Sequence, residues 1–340
     1  MSKQFEEIRK ELDSCERPLF FLHDDPDGLS SFILLYRYCK KGNGILVKSN
    51  PRVDSNFLAK VYEYSPDKIF ILDVAIVDQE FIDGAGVPVI WIDHHAPLKR
   101  DNVLYLNPRI AKPDDYKPTS YLCYNIAMQK EDMWIAMVGC IGDWHFPEFA
   151  GEFSRKYPDL NGAKNADEAF FSSKIGVLVN VFSFILKGKS QEALKCMKIA
   201  TRISSPYEIL RQETPQARYL YRRYESVNEK YQKLMKEARS AAGKGSMVLF
   251  IYRDDEISFT KDIANVMLYE NQDKLVIIGR EKDGEIKLSM RSRKTILPPL
   301  LEKALEGLEG YGGGHEYACG ANVSKKDFPV FLERIRKGIE

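Results

Sequence analysis

Several features that would indicate other classes of protein are missing from this sequence of 340 residues. Its six cysteines form no C-x-x-C pair, which argues against a thiolate zinc site or a disulfide framework and favours reduced thiols in a cytoplasmic protein. Lys and Arg (50) nearly balance Asp and Glu (49), so the net charge gives no reason to expect a polyanionic partner. The longest apolar stretches, such as 175–186, are shorter than the roughly 20 residues that span a bilayer, and residues 1–11 are too charged for a signal peptide. A globular chain with room for two domains and no membrane partner remains.

Histidine is also scarce, and two of the five histidines are adjacent at the end of an apolar run. The run Val-Ile-Trp-Ile at 89–92 is typical of a buried strand, and Asp93, His94 and His95 follow it directly. In a sheet covered by helices, ligands bind at the carboxyl ends of the strands. The sequence therefore predicts a functional site at the end of this strand.

A second polar cluster, His-Asp-Asp-Pro-Asp-Gly at 23–28, follows an apolar run at 18–22. We expect a strand-to-helix turn here, with Ser30 and Ser31 capping the helix. His23, Asp25 and Asp27 alternate, and in an extended chain alternate side chains lie on one side. Three acceptors on one side repel one another unless a cation lies among them, although a turn with one capping aspartate is the simpler alternative.

Two further apolar runs lead to an aspartate: 68–72 precedes Asp73, and 134–141 precedes Gly142 and Asp143. A helix that starts near residue 119, with Thr119 or Ser120 as its cap, is expected between them. Strands that alternate with helices predict an α/β fold with a doubly wound parallel sheet, which would gather these ends in one crevice. One buried carboxylate at a strand end has a structural explanation such as a helix cap, whereas four such ends in series favour a metal site.

The types of ligand narrow the choice of metal. Aspartates and imidazoles without a thiolate favour Mn²⁺ or Mg²⁺ over Zn²⁺ or Co²⁺. Six or seven candidate ligands are too many for one ion and suit two, bridged by a shared carboxylate at roughly 3.5–4 Å. This is the two-metal arrangement that hydrolyses phosphate esters without a Ser or Cys nucleophile.

The second half of the chain carries weaker signals. Residues 170–186 and 191–203 indicate helices that belong to the fold. A long polar helix at 216–242 interleaves tyrosines with basic residues, which is compatible with single-stranded nucleic acid but is better explained as a linker helix. After the Gly-Lys-Gly sequence at 243–245, strands, helices and a hairpin turn at 282–284 indicate a second domain.

A glycine-rich segment lies in this second domain, at Gly312, Gly313, Gly314 and His315. We interpret it as a loop whose backbone N–H groups can approach an anion closely. His315 and Arg291, together with Arg293, would supply side-chain donors to a phosphate. A glycine-rich loop alone usually marks only a turn, but after a two-metal domain it indicates the part of an enzyme that holds substrate.

In this order the motifs resemble the DHH phosphoesterase superfamily, in the branch whose second domain is the DHH-associated domain with a Gly-Gly-Gly-His loop. The RecJ single-strand nucleases and the NrnA-type phosphodiesterases belong to this branch, and the compact chain looks most like short archaeal RecJ-like proteins. The resemblance covers nearly the whole chain. It implies a DHH domain at 1–203, a linker helix at 204–245 and a smaller α/β DHH-associated domain at 246–340, with the active site in the cleft between the domains.

The resemblance also implies a role for each motif residue. His23, Asp25 and Asp73 would hold one Mn²⁺, and Asp27, Asp73, His94 and Asp143 would hold the other, with Mg²⁺ or Co²⁺ as substitutes. His95 would face the scissile phosphate, and Asp93 would orient the pair of histidines. Arg291, Gly312, Gly313, Gly314 and His315 would bind a nucleotide phosphate. Some relatives space the first motif as His-x-x-Pro-Asp-x-Asp, a register that would make Asp27 a ligand of the first metal and leave Leu29 where a second aspartate belongs.

The function implied is a Mn²⁺-dependent phosphodiesterase or exonuclease that acts on short single-stranded RNA or DNA. The first alternative is the same chemistry on linear or cyclic dinucleotides or on pAp. The second is a replication or repair scaffold, because a eukaryotic replicative-helicase subunit of this descent keeps the fold without catalysis. A replication or repair protein as partner, and a homodimer, are compatible with the enzyme and with the scaffold.

Overall fold

The computed structural model describes residues 2–48, 52–254 and 257–339. The chain divides into two compact units, residues 1–225 and 226–340, and each is described by itself. The boundary falls within the longest helix, α13 (Pro215–Ala241).

The N-terminal unit is built on a five-stranded parallel sheet in the order β2-β1-β4-β6-β7. Its strands are β1 (Pro18–His23), β2 (Asn43–Val47), β4 (Lys68–Leu72), β6 (Val89–Ile92) and β7 (Val103–Leu106). Two short strands, β3 (Arg52–Val53) and β5 (Ile76–Val77), form a separate parallel pair. The helices up to β7 are α1 (Ser2–Asp13), α2 (Pro26–Cys39), α3 (Leu58–Tyr64) and α4 (Gln79–Gly84). Those after it are α5 (Pro108–Ala111), α6 (Thr119–Ala127), α7 (Met133–Gly142), α8 (Ala150–Lys156), α9 (Ala166–Ser172), α10 (Lys174–Ile185), α11 (Ser190–Ala200) and α12 (Pro206–Leu210).

Both faces of this sheet are buried, which explains why its strands are apolar throughout rather than alternating. On β1, Phe20 and Leu22 pack into a core formed with α2, α6, α7 and α10. Their neighbours Leu19 and Phe21 point to the other face and pack with α3 and α4. The predicted doubly wound α/β fold is therefore confirmed.

The order of the strands places a topological switch point between β1 and β4. From β1 the chain moves to β2 on one side, then crosses to β4 and continues outward through β6 and β7. Ligands of open α/β sheets bind where this direction reverses, at the carboxyl ends of the strands. The residues at that point are His23 and Asp73.

The second unit is smaller and has a mixed five-stranded sheet in the order β11-β12-β10-β9-β8. Only β8 and β9 run parallel within it. Its elements after α13 are β8 (Met247–Arg253), α14 (Thr260–Glu270), β9 (Leu275–Lys282), β10 (Glu285–Arg291), α15 (Leu297–Leu305), β11 (Gly310–His315), β12 (Ala318–Ser324) and α16 (Phe328–Ile339). Strand residues Ile277, Leu288 and Met290 pack against α15 and α16. The predicted smaller α/β domain after a long helix is thus present, while the predicted domain boundaries stay predictions.

Four local predictions were wrong. The apolar run 134–141 belongs to helix α7, because a short apolar run is equally typical of a buried helix. Helix α2 begins at residue 26 and is capped by Asp25, so Ser30 and Ser31 are buried inside it. Thr119 and Ser120, predicted as caps of α6, lie inside that helix, and the residue at the cap position is Pro118, which makes no side-chain hydrogen bond there. The glycine-rich segment is the strand β11 rather than a loop. The segment 170–186 is helical, as predicted, and Ser173 divides it between α9 and α10.

Among the described residues no single helix is long and apolar enough to cross a membrane. The pair α9 and α10, bent by 81° at its break, meets the criterion by length and composition alone.

Candidate metal centre

The first part of the site is the turn from β1 into α2. Asp25 is the last extended residue, and its Oδ1 accepts hydrogen bonds at 3.1 Å from the N–H groups of Asp27 and Gly28. Its other oxygen, Oδ2, lies 3.1 Å from Nδ1 of His23. Glycine is required at 28, since a Cβ there would clash with the carbonyl oxygen of His23. The cap and the contact with His23 thus use different oxygens of one carboxylate.

The prediction that His23, Asp25 and Asp27 alternate in an extended chain was wrong for Asp27, which lies in the first turn of α2. Its carboxylate is almost fully buried and accepts hydrogen bonds from the N–H groups of Thr119 (2.8 Å) and Ser120 (2.9 Å) and from the Ser120 hydroxyl. These groups form the start of α6, so Asp27 supplies the cap that Pro118 cannot. One aspartate therefore joins α2 to α6 at the edge of the site.

Asp73 follows β4 at the switch point and lies between two histidines. Its Oδ2 is 3.3 Å from Nδ1 of His23, and its Oδ1 is 3.3 Å from Nε2 of His94. The hydroxyl of Thr119 lies 3.4 Å from the same Oδ1. The backbone at Asp73 is left-handed (φ 58°), a conformation that only a few residue types adopt without strain. Asp73 is the side chain common to both halves of the cluster.

The second half of the cluster comes from the ends of β6 and α7. Nε2 of His94 lies 3.4 Å from Oδ2 of Asp143, the residue at the carboxyl end of α7. Candidate ligand atoms within 4.8 Å of one another form three groups: His23, Asp25 and Asp73; Asp73, His94 and His95; and Asp27, His94 and Asp143. The six predicted metal ligands are all among them, and so is His95, which was predicted to face the phosphate. Asp27 is grouped with Asp143 rather than with His23, and the assignment of ligands to each metal stays a prediction.

His95, a member of the second group, also pairs with Asp93. Oδ1 of Asp93 lies 2.7 Å from Nδ1 of His95, and Oδ2 accepts a hydrogen bond from the His95 N–H at 2.9 Å. Asp93 is completely buried. Its side chain therefore orients His95 rather than both histidines.

Asn107, which the sequence analysis missed, supports this pair. Its Nδ2 donates to the carbonyl oxygen of His95 (3.0 Å) and to the Tyr105 hydroxyl (2.8 Å), and lies 3.4 Å from Oδ2 of Asp93. Asn107 follows β7 directly, so it occupies the same position on its strand as Asp93 on β6. An apolar run ending in a polar residue was the signal that could have identified it.

Burial and neighbouring charges shift the pKa values of the clustered side chains in opposite directions. Burial alone would lower the pKa of His23 and of His94, but the neighbouring carboxylates raise both pKa values well above normal. Burial raises the pKa of Asp27 well above its ordinary value, and the charge of Asp73 adds to the effect. Burial would also raise the pKa of Asp73, but hydrogen bonds from the two histidines help to lower it. A divalent cation bound here would compete with protons for the same imidazole and carboxylate atoms.

The donor set fits divalent cations. Carboxylate oxygens and imidazole nitrogens, with no thiolate among the three groups, suit hard to borderline ions. Several carboxylates within a few ångströms repel one another unless positive charge compensates them. These residues can hold a divalent metal.

The predicted substrate residues lie in the second unit, on the two strands that flank β12. Arg291 on β10 and His315 on β11 both pair with Ala318 on β12, which sets them in one row across the sheet. Nε of Arg291 donates to Oδ1 of Asn265 at 2.9 Å, and no carboxylate among the described residues forms an ion pair with the guanidinium. Burial lowers the pKa of Arg291 to about 10. His315 is exposed.

The three glycines lie on β11, an exposed edge strand. Gly314 has φ 149°, and a Cβ there would clash with the carbonyl oxygen of Ala318. Gly312 is similarly close to the backbone of β12, whereas Gly313 faces open space. Glycine is therefore required at two of the three positions by the approach of β11 to β12.

Comparisons with known proteins agree with this architecture. The profile described as "DHH family, N-terminal domain" matches residues 19–142, and the profile described as "DHHA1 domain" matches residues 247–340. A search of curated protein sequences finds no match.

Among solved structures, RecJ from Thermus thermophilus in complex with Mn²⁺ is 17% identical, with a TM-score of 0.69 over 98% of this chain and 53% of RecJ. This chain thus spans about half the length of that protein. A DHH domain from a protein described as a member of a family of ribosomal proteins is 14% identical, with a TM-score of 0.71 over 99% of this chain and 89% of that one. An exonuclease RecJ bound to manganese is 18% identical, with a TM-score of 0.58 over 98% of this chain and 92% of that one. At these identities the likeness establishes a shared fold.

Proposed function

Since the chain belongs to the DHH superfamily of phosphoesterases, with a DHHA1 domain after its DHH domain, we propose that it hydrolyses short single-stranded RNA or DNA to mononucleotides. The observation that carries the proposal is the position of Asp73, whose two oxygens each lie 3.3 Å from a different histidine. A carboxylate shared in this way suits a bridge between two cations.

We assign His23, Asp25 and Asp73 to one cation, and Asp27, Asp73, His94 and Asp143 to the other. Mn²⁺ is the proposed ion, with Mg²⁺ or Co²⁺ as substitutes, because the donors are carboxylates and imidazoles and because two RecJ structures of the same fold hold manganese. When bound, such a pair supplies Lewis-acid activation of water and neutralises charge that develops on phosphorus.

The protein's own side chains would hold the substrate phosphates in position and donate protons or hydrogen bonds to them. Asp93 holds Nδ1 of His95 at 2.7 Å, which leaves Nε2 as the nitrogen available to a phosphate oxygen. Burial alone would lower the pKa of His95, but Asp93 raises it, so the imidazole keeps a proton to donate. In the second unit, the guanidinium of Arg291 is in ion-pair contact with no carboxylate of the described chain, and with His315 and the glycines of β11 it is the proposed holder of a second phosphate.

The test is hydrolysis of end-labelled single-stranded RNA and DNA, from dinucleotides to about twenty nucleotides, in the presence of Mn²⁺. The Asp143→Ala variant should abolish cleavage because it removes a proposed ligand. The Asp24→Ala variant is the matched control, because Asp24 lies beside His23 but outside all three ligand groups.

Each outcome assigns a different function. A mononucleotide ladder that disappears only in Asp143→Ala would support the exonuclease. Cleavage of the dinucleotide alone would identify a dinucleotide phosphodiesterase. Absence of cleavage on every substrate would overturn the proposal and favour a scaffold with replication or repair proteins as partners. Those partners, a homodimer and an active site in a cleft between the domains stay predictions.

A further inference from the structure

Trp144 occupies an unusual position, directly after the proposed ligand Asp143. Helix α7 ends in a Schellman motif: the N–H of Trp144 donates to the carbonyl of Ile141 (3.2 Å), and the N–H of His145 donates to that of Cys140 (2.9 Å). In this motif Trp144 takes the left-handed position (φ 57°). Glycine is the usual residue there, because it adopts this conformation without strain. The backbone therefore gives no reason for a tryptophan at 144.

The side chain is also unusual in being exposed. The sequence has three tryptophans, and Trp91 and Trp134 are completely buried, whereas Trp144 is 37% exposed. Its ring packs beside Phe170 and Phe171 on α9, with centroid distances of 5.0 and 5.7 Å. These phenylalanines fix the indole in place, and part of its aromatic surface still meets solvent at the residue that directly follows Asp143 in the sequence.

We propose that the Trp144 indole is a stacking platform for the nucleobase of the nucleotide whose phosphate lies at the metal centre. The inference rests on the proposed function, since a base is present only if the substrate is a nucleotide. Stacking on an aromatic ring tolerates any base, because every base has a π-face. Trp144 is then a binding residue that distinguishes nucleotide phosphodiesters from other phosphate esters. It does not touch the reacting atoms.

The fluorescence of the wild-type protein tests the contact directly. Because the other two tryptophans are buried, emission that a ligand can quench belongs to Trp144. In the presence of Mg²⁺, AMP and UMP should quench this emission, whereas ribose 5-phosphate, which has the phosphate and sugar but no base, should not. The Trp144→Phe variant should lose the quenching. Equal quenching by ribose 5-phosphate would overturn the proposal.

Kinetics supply the second readout. Trp144→Gly should raise KM about tenfold for oligonucleotides with an intact terminal base, as expected for the loss of one stacked base. Two further substrates lack the base at the 5′ end or at the 3′ end. For the substrate that is abasic at the end where cleavage occurs, Trp144→Gly should leave KM unchanged. Trp144→Tyr should restore most of the affinity, because it keeps an aromatic face.

The outcomes separate this inference from the proposed function. Trp144→Gly relieves the left-handed strain but removes packing on Phe170, so a thermal melt accompanies each assay. A lowered melting temperature with an unchanged preference for intact over abasic ends would show a purely structural role and overturn the inference. If the wild-type protein cleaves no phosphodiester, the proposed function fails, and the comparison of AMP with ribose 5-phosphate alone decides whether Trp144 binds a base.

Discussion

Replacement of Asp73 with asparagine should abolish the stabilisation that divalent cations give to the N-terminal unit. Asp73 lies 3.3 Å from His23 on one side and 3.3 Å from His94 on the other, and it belongs to two of the three ligand groups. Asparagine preserves the shape of the side chain and tolerates the left-handed backbone at this position. The substitution therefore removes one negative charge and one bridging oxygen with little change in packing.

The size of the effect follows from linkage. A cation that binds only the folded protein, at about 100 times its Kd, stabilises that protein by about 2.7 kcal/mol per site. For a unit of roughly 200 residues, each kcal/mol raises Tm by about 2–4 °C. Saturating one site should therefore raise Tm by about 5–11 °C, and a second site should add to this. Asp73→Asn should show almost none of the increase.

The assay is thermal unfolding followed by circular dichroism, with and without Mn²⁺ or Mg²⁺. Asp24→Asn is the matched control, because it removes a neighbouring charge, 3.8 Å from Nε2 of His23, that lies outside every ligand group. The control should keep the full shift. An undiminished shift in Asp73→Asn, or an equal loss in Asp24→Asn, would refute the assignment of Asp73 as the shared ligand.

Three further predictions concern other parts of the chain. Asn107→Ala should lower kcat about tenfold with little change in KM, because the substitution releases the loop that carries His95, the proposed catalytic histidine; an initial-rate analysis in which only KM changes would contradict this. Gly314→Ala should lower the stability of the second unit by about 2 kcal/mol in urea unfolding, whereas Gly313→Ala, which faces open space, should not. Partial burial alone would raise the pKa of Asp67, but hydrogen bonds from residues 15–17 lower it to about 2. Wild type should exceed Asp67→Asn in stability by about 1–2 kcal/mol above pH ~4, and a difference that persists once the pH falls through about 2 would contradict the assignment.

The strand ends could be predicted from the sequence because their signal is local. An apolar run followed at once by His23, by Asp73 or by Asp93 indicates a buried strand that emerges at a polar edge, and parallel strands bring such edges together. The order of the residues and the general rule for α/β sheets are enough to predict the fold. The same strand ends carry residues that lie within a few ångströms of one another in the structure.

The local shape around Asp143 and Asp27 could not be predicted in the same way. Asp143 lies at the end of a helix, and the apolar run before it has no periodicity that separates helix from strand. The partners of Asp27 are Thr119 and Ser120, 92 and 93 residues later in the chain, so no local pattern reports them. These long-range hydrogen bonds fix the orientation of the Asp27 carboxylate.

Asp25 and Asp27 both cap helices, and this structural role is compatible with the proposed role of the same carboxylates as metal ligands. Asp25 caps α2 with Oδ1 and keeps Oδ2 beside His23, while Asp27 accepts from the first N–H groups of α6. Each carboxylate is held at a helix N-terminus, where the partial positive charge of the helix offsets part of the repulsion between like charges. The helices thereby fix the carboxylates close together before any cation arrives. Because carboxylates held in this way would lose little conformational freedom on binding a cation, we expect the caps to increase the metal affinity of the proposed site.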